Sequence, residues 1–243
     1  MYEHTVSGII RHHECDADGE LKLHCLLDRM QDAAAEHAAV LNVGMEEMAE
    51  MQLIWVLSRL KIKLERPLRL GENLEVRTFP TGVQRIFAHR CYDLRVDGQR
   101  VGYAGSFWLP VNVAANRPVN AKKVLPPDIM DVPDAEKFFA DMDKLTECTS
   151  GIVADYRVGS GDVDLNRHLN NAVYARWIID VLGEKYASKS ISVREVQLNY
   201  ISAGQFGEKI FLRAECSGDG QFLISGERED GSMIFQASGS AAV

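Results

Sequence analysis

The chain has 243 residues, 46% of them hydrophobic and 26% charged, enough apolar material for one large globular domain or two smaller ones. Its 35 Asp and Glu outweigh 27 Lys and Arg for a formal charge of −8, which argues against nucleic acid as a partner, because phosphate binding needs a clustered positive surface. No run approaches the ~18 uncharged apolar residues of a membrane span, and the start Met-Tyr-Glu-His-Thr lacks the basic and apolar regions of a signal peptide, so a cytoplasmic protein is expected.

From the N-terminus, His12, His13, Cys15, His24 and Cys25 crowd together without the paired spacing of a metal site, so neither metal nor other cofactor is expected. Cys15, Cys25, Cys91, Cys148 and Cys216 are odd in number and scattered, as reduced thiols in a reducing compartment would be. An apolar stripe follows at Leu26, Leu27, Met30, Ala33, Ala34, His37, Ala38 and Leu41, the period of an amphipathic helix, and it stops at Asn42-Val-Gly44. Alternation then predicts a strand with Leu57, Arg59, Lys61 and Lys63 on one face and Val56, Leu60, Ile62 and Leu64 on the other. Further strands are expected near 72–80, 84–97 and 100–113, with a hairpin at Asp97-Gly98. The stretch 114–155, with Pro118, Pro126, Pro127 and Pro133, reads as a structured linker containing a short helix capped by Asp134. A second helix carries Val173, Tyr174, Trp177, Ile178 and Val181 up to Gly183. Strands follow near 190–201, 207–217, 221–229 and 232–242, with a turn at Asp230-Gly231.

The order helix-then-strands thus occurs twice. Residues 59–77 align with 195–213 without a gap: Gly71-Glu72 falls on Gly207-Glu208 at an offset of 136, and the Asp-Gly turns match at 133. Asp18, before the first helix, matches Asp164 at 146. This points to an internal duplication of an α+β unit, one long helix wrapped by a curved antiparallel sheet. Residues 1–113 would be the first repeat, 114–155 the linker and 156–243 the second repeat.

The densest chemistry lies in Asp164-Leu-Asn166-Arg-His168-Leu-Asn-Asn171-Ala-Val-Tyr174-Ala-Arg-Trp177. A carboxylate, an amide and an imidazole here precede a helix whose N-terminus carries unpaired N–H groups and positive dipole, a setting suited to negative charge developing on an oxygen. The structural alternative is that Asp and Asn cap the helix. In the first repeat Asp18-Gly-Glu-Leu-Lys22 replaces this run, so imidazole and amide are missing there.

The second-repeat segment has the form Asp-x-Asn-x-His-(Val/Leu)-Asn-Asn-x-x-Tyr-x-x-Trp, filled by Asp164, Asn166, His168, Leu169, Asn170, Asn171, Tyr174 and Trp177, with Asp162 as lead-in. Together with the first-half run Leu26 to His37 before Gly44, Trp55-Val-Leu-Ser-Arg59, Trp108 and Arg117-Pro118, it resembles the acyl-acyl-carrier-protein thioesterases of bacterial type, built as tandem hot-dog folds. The resemblance implies hydrolysis of fatty acyl thioesters of acyl carrier protein, with Asp164 as general base or His-orienting carboxylate. Asn166 would position water or donate to the thioester oxygen, and His168 would accept or relay a proton. Helix-start N–H groups would add oxyanion donors. Asn171 and Tyr174 are candidate substrate contacts, with core packing the favoured reading of Tyr174 and Trp177, and the first repeat would line the acyl pocket.

One position departs from the family. Tyr200 matches its strand Tyr, but Ala203 and Gly204 stand where Glu and Cys are usual. On an extended strand Glu195 would lie about 27 Å from Ala203 and Glu208 about 17 Å, so neither substitutes unless the backbone bends sharply. For the acidic carrier protein, Arg59, Lys61, Lys63, Arg66 and Arg69 form the densest basic run, although a solvated strand face explains it equally. Hydrolysis of acyl-coenzyme A and non-catalytic acyl binding are the alternatives, and homodimer formation stays open. A hot-dog hydratase fits less well, since its Asp-to-His spacing is five with a Pro, whereas Asp164 and His168 are four apart.

Overall fold

The computed structural model describes residues 2–132, 136–188 and 190–242. In chain order the elements are β1 (His4–Ile9), α1 (Leu23–Val40), α2 (Met45–Glu50), β2 (Leu53–Leu64), β3 (Asn73–Gln84), β4 (Phe87–Val96), β5 (Gln99–Asn112), β6 (Arg117–Pro118), α3 (Pro127–Met130), β7 (Ile152–Arg157), α4 (Asn171–Tyr186), β8 (Ser192–Tyr200), β9 (Lys209–Cys216), β10 (Gln221–Arg228) and β11 (Met233–Ala242). The fold divides into two units. One comprises Met1–Ile10, Asp28–Lys63 and Gly71–Met142, and the other Arg11–Leu27, Leu64–Leu70 and Asp143–Val243.

In the first unit the strand order is β1-β3-β4-β5-β2. On α1, Met30, Ala33, Ala34 and His37 are buried at the i, i+3, i+4, i+7 spacing. The exposed Asp32, Glu36 and Ala39 lie off that stripe. The other unit repeats the order as β7-β9-β10-β11-β8. Its helix α4 buries Tyr174, Trp177, Ile178, Val181 and Leu182. There Tyr174 meets Phe235 at 5.1 Å and Tyr200 at 5.3 Å, while Trp177 stacks on Tyr156 at 5.1 Å. Each such side chain stabilises the fold by roughly 1.5–3 kcal/mol.

Register shows the duplication more sharply than the sequence does. The edge strands β1 and β7, hidden in stretches with weak alternation, pair equivalently: Ile9 faces Asn73 and Arg157 faces Lys209. The loops before α1 and α4 also superpose bond for bond. Asp16 Oδ1 accepts the N–H groups of Asp18 and Glu20 at 3.0 and 2.9 Å, as Asp164 Oδ1 accepts those of Asn166 and His168 at 2.8 and 3.3 Å. Cys15 bridges Leu21 as Val163 bridges Leu169. The partner of Asp164 is therefore Asp16, not Asp18: hydrogen bonding sets the offset at 148, and Glu20 occupies the place of His168.

Over the described residues 136–144 the acidic stretch is not the expected helix. Pro133, Asp134 and the cap assignment lie outside the described residues, and 136–142 is irregular with Phe139 at a φ of 51°. Tertiary packing overrides the helix signal over 136–142. Phe138 is buried against Phe79 and Cys91, Glu136 pairs with Arg100 at 2.9 Å, and Gln84 donates to Asp141 at 3.1 Å. This segment also covers part of the basic run. Arg59 donates to the Met142 carbonyl, and the Lys61 ammonium lies 5.0 Å over the Phe139 ring, so these two are not an open docking face.

Candidate active site

The site is built on the loop between β7 and α4. A turn of 3₁₀ helix, Ser160–Asp162, leads in. Asp162 is doubly engaged: its Oδ2 accepts the Gly159 N–H at 2.9 Å, and its Oδ1 pairs with Arg176 on α4 at 2.7 Å. The loop then closes on itself. The Asp164 N–H donates to the His168 carbonyl at 2.8 Å, and the Arg167 N–H donates to the Asp164 carbonyl at 2.9 Å. Arg167 takes a φ of 62° to make that turn.

Asp164 is not the cap of α4. That role belongs to Asn170, whose side chain accepts the Ala172 N–H at 2.9 Å. Asp164 instead uses one carboxylate oxygen to gather the backbone N–H groups of Asn166 and His168, an Asx turn that fixes where both side chains start. Asn166 is exposed and His168 half-buried. Among the described residues neither the Asn166 amide nor the His168 ring makes a hydrogen bond, so both are available to a substrate or water. Two of the N–H groups at the helix start are engaged locally, Ala172 by the Asn170 side chain at 2.9 Å and Val173 by the Asn170 carbonyl at 3.0 Å. The Asn166 amide is a side-chain donor that remains in the loop.

The neighbouring wall is the turn after β8. That strand ends at Tyr200, and 201–208 is irregular, with Gly207 at a φ of 84°. Leu169 donates its N–H to the Gly204 carbonyl at 2.8 Å, tying this turn to the loop. The Tyr174 hydroxyl accepts the Gly204 N–H at 3.3 Å. Burial pushes the Tyr174 phenol up to about 12, with the Gly204 N–H and Arg228 opposing and the carboxylates of Glu208 and Asp164 adding. Tyr174, a candidate substrate contact, is thus a buried protonated hydroxyl that positions Gly204. Asn171 is half-buried, and its backbone carbonyl accepts the Tyr200 hydroxyl at 3.2 Å.

The sharp bend needed to return Glu208 to this region is present. Its Oε2 accepts the Gln205 N–H at 2.9 Å, and its Oε1 meets Arg228 Nε at 3.0 Å. Arg228 in turn donates to the Ala203 carbonyl at 2.8 Å and the Ser202 hydroxyl at 3.2 Å. Glu208 is therefore joined to Ala203 through one guanidinium, but it is spent on an ion pair rather than free as a base. Strand geometry hid this cluster in the sequence; the Gly207-Glu208 turn signal, matching Gly71-Glu72, was the available clue. Among the described residues no three His, Cys, Asp or Glu side chains cluster closely enough to hold a metal ion.

Comparison with known proteins agrees with this fold. Residues 2–131 match the acyl-ACP thioesterase N-terminal domain and residues 146–236 the acyl-ACP thioesterase C-terminal domain. The chain is 24% identical over 185 residues to a chloroplastic palmitoyl-acyl carrier protein thioesterase of Cuphea hookeriana, covering 70% of this chain and 45% of that protein. It thus spans about half the length of the curated relatives it matches. Among solved structures, an acyl-ACP thioesterase of Bacteroides thetaiotaomicron superposes with a TM-score of 0.85 at 21% identity, covering 99% of this chain and 98% of that one. The 12:0-ACP thioesterase of Umbellularia californica superposes at 0.80 and 19% identity, covering 99% and 97%. Both share this tandem hot-dog α+β fold.

Proposed function

Because this chain belongs to the acyl-ACP thioesterase family, we propose that it hydrolyses the thioester joining a fatty acyl chain to acyl carrier protein, releasing the fatty acid and the carrier's thiol in fatty acid biosynthesis. The observation that carries this reading is the Asp164 clamp, which presents an unengaged amide and an unengaged imidazole two residues apart on one loop.

In this mechanism His168 takes a proton from a water as the water oxygen bonds to the thioester carbonyl carbon. The Asn166 amide donates to the carbonyl oxygen as it becomes an oxyanion. Collapse of the tetrahedral intermediate breaks the C–S bond, and the imidazolium returns its proton to the departing thiolate. Asp164 acts chiefly by holding the loop, and its second oxygen stays available to orient the imidazole. A thiolate leaves readily, so the ion-paired Glu208 need not act as an acid.

We assign this chemistry to the second repeat, 156–243, and the acyl pocket to the first, 1–113. The names of the relatives, palmitoyl and 12:0, support a straight saturated chain as substrate. The carrier's arm would enter over a rim on which Leu165, Phe206 and Ile201 stand 85%, 69% and 52% exposed beside the loop, an apolar surface of the kind that marks an interaction site. The five scattered thiols support a reducing, cytoplasmic setting.

The test is thiol release from long-chain acyl carrier protein by wild type, Asp164→Asn and His168→Ala, run beside the same acyl chain on coenzyme A. Both folded variants should be slow and the carrier-protein substrate preferred; near wild-type rates in both variants would defeat the assignment. A preference for coenzyme A would replace the carrier.

A further inference from the structure

The first repeat's copy of the loop opens onto a cavity of about 370 Å³ that none of Asp164, Asn166 and His168 lines. Its walls are the loop 16–24, the turn after β2, the outer face of α4 and the start of β8, all within one unit. Most of the surface is aliphatic, with Leu21, Leu26, Leu64, Leu68, Ile179 and Val193 among the lining side chains.

The polar groups at this cavity are largely committed already. Asp16 holds two backbone N–H groups through Oδ1 and the Ser190 hydroxyl, at 3.1 Å, through Oδ2. Glu20 pairs with Arg69 at 3.2 Å, Arg176 with Asp162 at 2.7 Å, and Lys22 donates to the His13 carbonyl at 3.1 Å. The remaining two titratable groups are shifted by burial. Burial, with Lys22 and Arg176 adding, lowers the His24 imidazole, and burial raises the Asp180 carboxyl. The carboxyl groups of Asp16, Glu20 and Asp180 outnumber the cations Lys22 and Arg176 in the lining, so charge does not favour an anion, while the aliphatic wall suits an uncharged hydrocarbon chain.

The loop that opens it keeps the clamp of the hydrolytic loop and has lost its reactive groups: Glu20 stands where His168 does, and Asp18 where Asn166 does. We propose that this cavity is a second aliphatic-chain site, which binds an unbranched chain with an uncharged head and does not hydrolyse it. Its volume holds roughly a dozen water-sized groups, at ~30 Å³ each, so a chain of about ten carbons fills it.

The test titrates the whole protein, isotopically labelled at Ile methyl groups, with hexan-1-ol and decan-1-ol, and with decanoate as the anionic counterpart. Binding should shift the Ile179 and Ile191 methyl signals saturably. Decan-1-ol should bind on the order of a hundredfold tighter than hexan-1-ol, since each buried methylene contributes about fourfold, and decanoate more weakly than decan-1-ol. Ile179→Trp, filling the cavity from the helix, and Val193→Phe, filling it from the sheet, should each abolish those shifts while thiol release from acyl carrier protein stays at the wild-type rate. Unshifted methyls, undiminished binding in whichever variant folds, or tighter binding of decanoate would overturn the proposal. Because binding and hydrolysis are read separately, loss of the thioesterase reading would leave this result interpretable.

Discussion

Leu169 and Gly204 are in contact through both backbone and side chain: the Leu169 N–H donates to the Gly204 carbonyl at 2.8 Å, and a Cβ at 204 would come within 3.0 Å of Leu169 Cδ2. The absence of a side chain at 204 is therefore what lets the reactive loop lie against the turn after β8. Gly204→Ala forces Leu169 back by a few tenths of an ångström, and Gly204→Val forces it further. Thiol release should fall about tenfold in the first variant and more in the second, with stability reduced by ~1–3 kcal/mol as overpacking usually costs. Rates for both at the wild-type value, with urea midpoints unchanged, would mean that the loop does not depend on this contact.

The Asp164 clamp separates two roles that simple loss of activity would confuse. Asp164→Asn keeps an oxygen that can accept the N–H groups of Asn166 and His168, whereas Asp164→Ala removes it. If Asp164 acts mainly by holding the loop, the Asn variant should retain more activity than the Ala variant. Only the Ala variant should lose stability, by ~1 kcal/mol per exposed hydrogen bond at most. His168→Ala should cost ~10²–10⁴ in kcat, the range of a lost general base, without change in melting temperature. Equal kcat values for Asp164→Asn and Asp164→Ala would shift Asp164 from holding the loop to proton transfer.

Much of this was legible in the sequence because it is local and repeated. The stripe from Leu26 to His37 and the run Tyr174 to Val181 announced both helices, and the gapless alignment of 59–77 with 195–213 announced the tandem fold. What escaped depends on partners distant in sequence. The register between Asp16 and Asp164 is set by hydrogen bonds, and counting from the wrong aspartate shifted it by two residues. Asn170 became the cap because Asp164 was already spent on its own loop. Glu208 looked out of reach because strand geometry was extended past Tyr200, where the chain in fact turns and Arg228 closes the turn. The acidic stretch after Pro133 carried a helix signal that packing of Phe138 over Cys91 overrides.

Position 203 allows a gain-of-function experiment. Ala203 is exposed, its carbonyl is held by Arg228, and the next residue touches the reactive loop. A Glu side chain there starts beside the loop with the Arg228 guanidinium close by. Ala203→Glu should raise kcat on acyl carrier protein thioesters, whereas Ala203→Gln, which cannot accept a proton, should not. A rise in both would point to packing rather than to the carboxylate, and no rise in either would mean that the side chain turns away from the loop.

His89 predicts how stability responds to acid. It is 4% exposed, its Nδ1 meets the Thr81 hydroxyl, and its ring lies 4.8 Å from that of Phe107. Burial, with Lys137 adding, pushes the imidazole down to about 4, against the opposing pull of the Phe139 and Phe138 backbone and of Asp141. In the unfolded chain the same ring takes up a proton near 6.5. Between these values the unfolded state binds the extra proton, so the contribution of neutral His89 is complete above pH 6.5 and is lost progressively as pH falls towards 4. The loss approaches about 3 kcal/mol at the low end, at 1.36 kcal/mol per pH unit. Urea denaturation of wild type and His89→Gln at pH 7.5, 6.0 and 4.5 isolates it, because the carboxylates and the other histidines titrate in both proteins. The stability gap between the two should narrow steadily as pH falls; a gap independent of pH would mean that His89 accepts its proton as readily folded as unfolded.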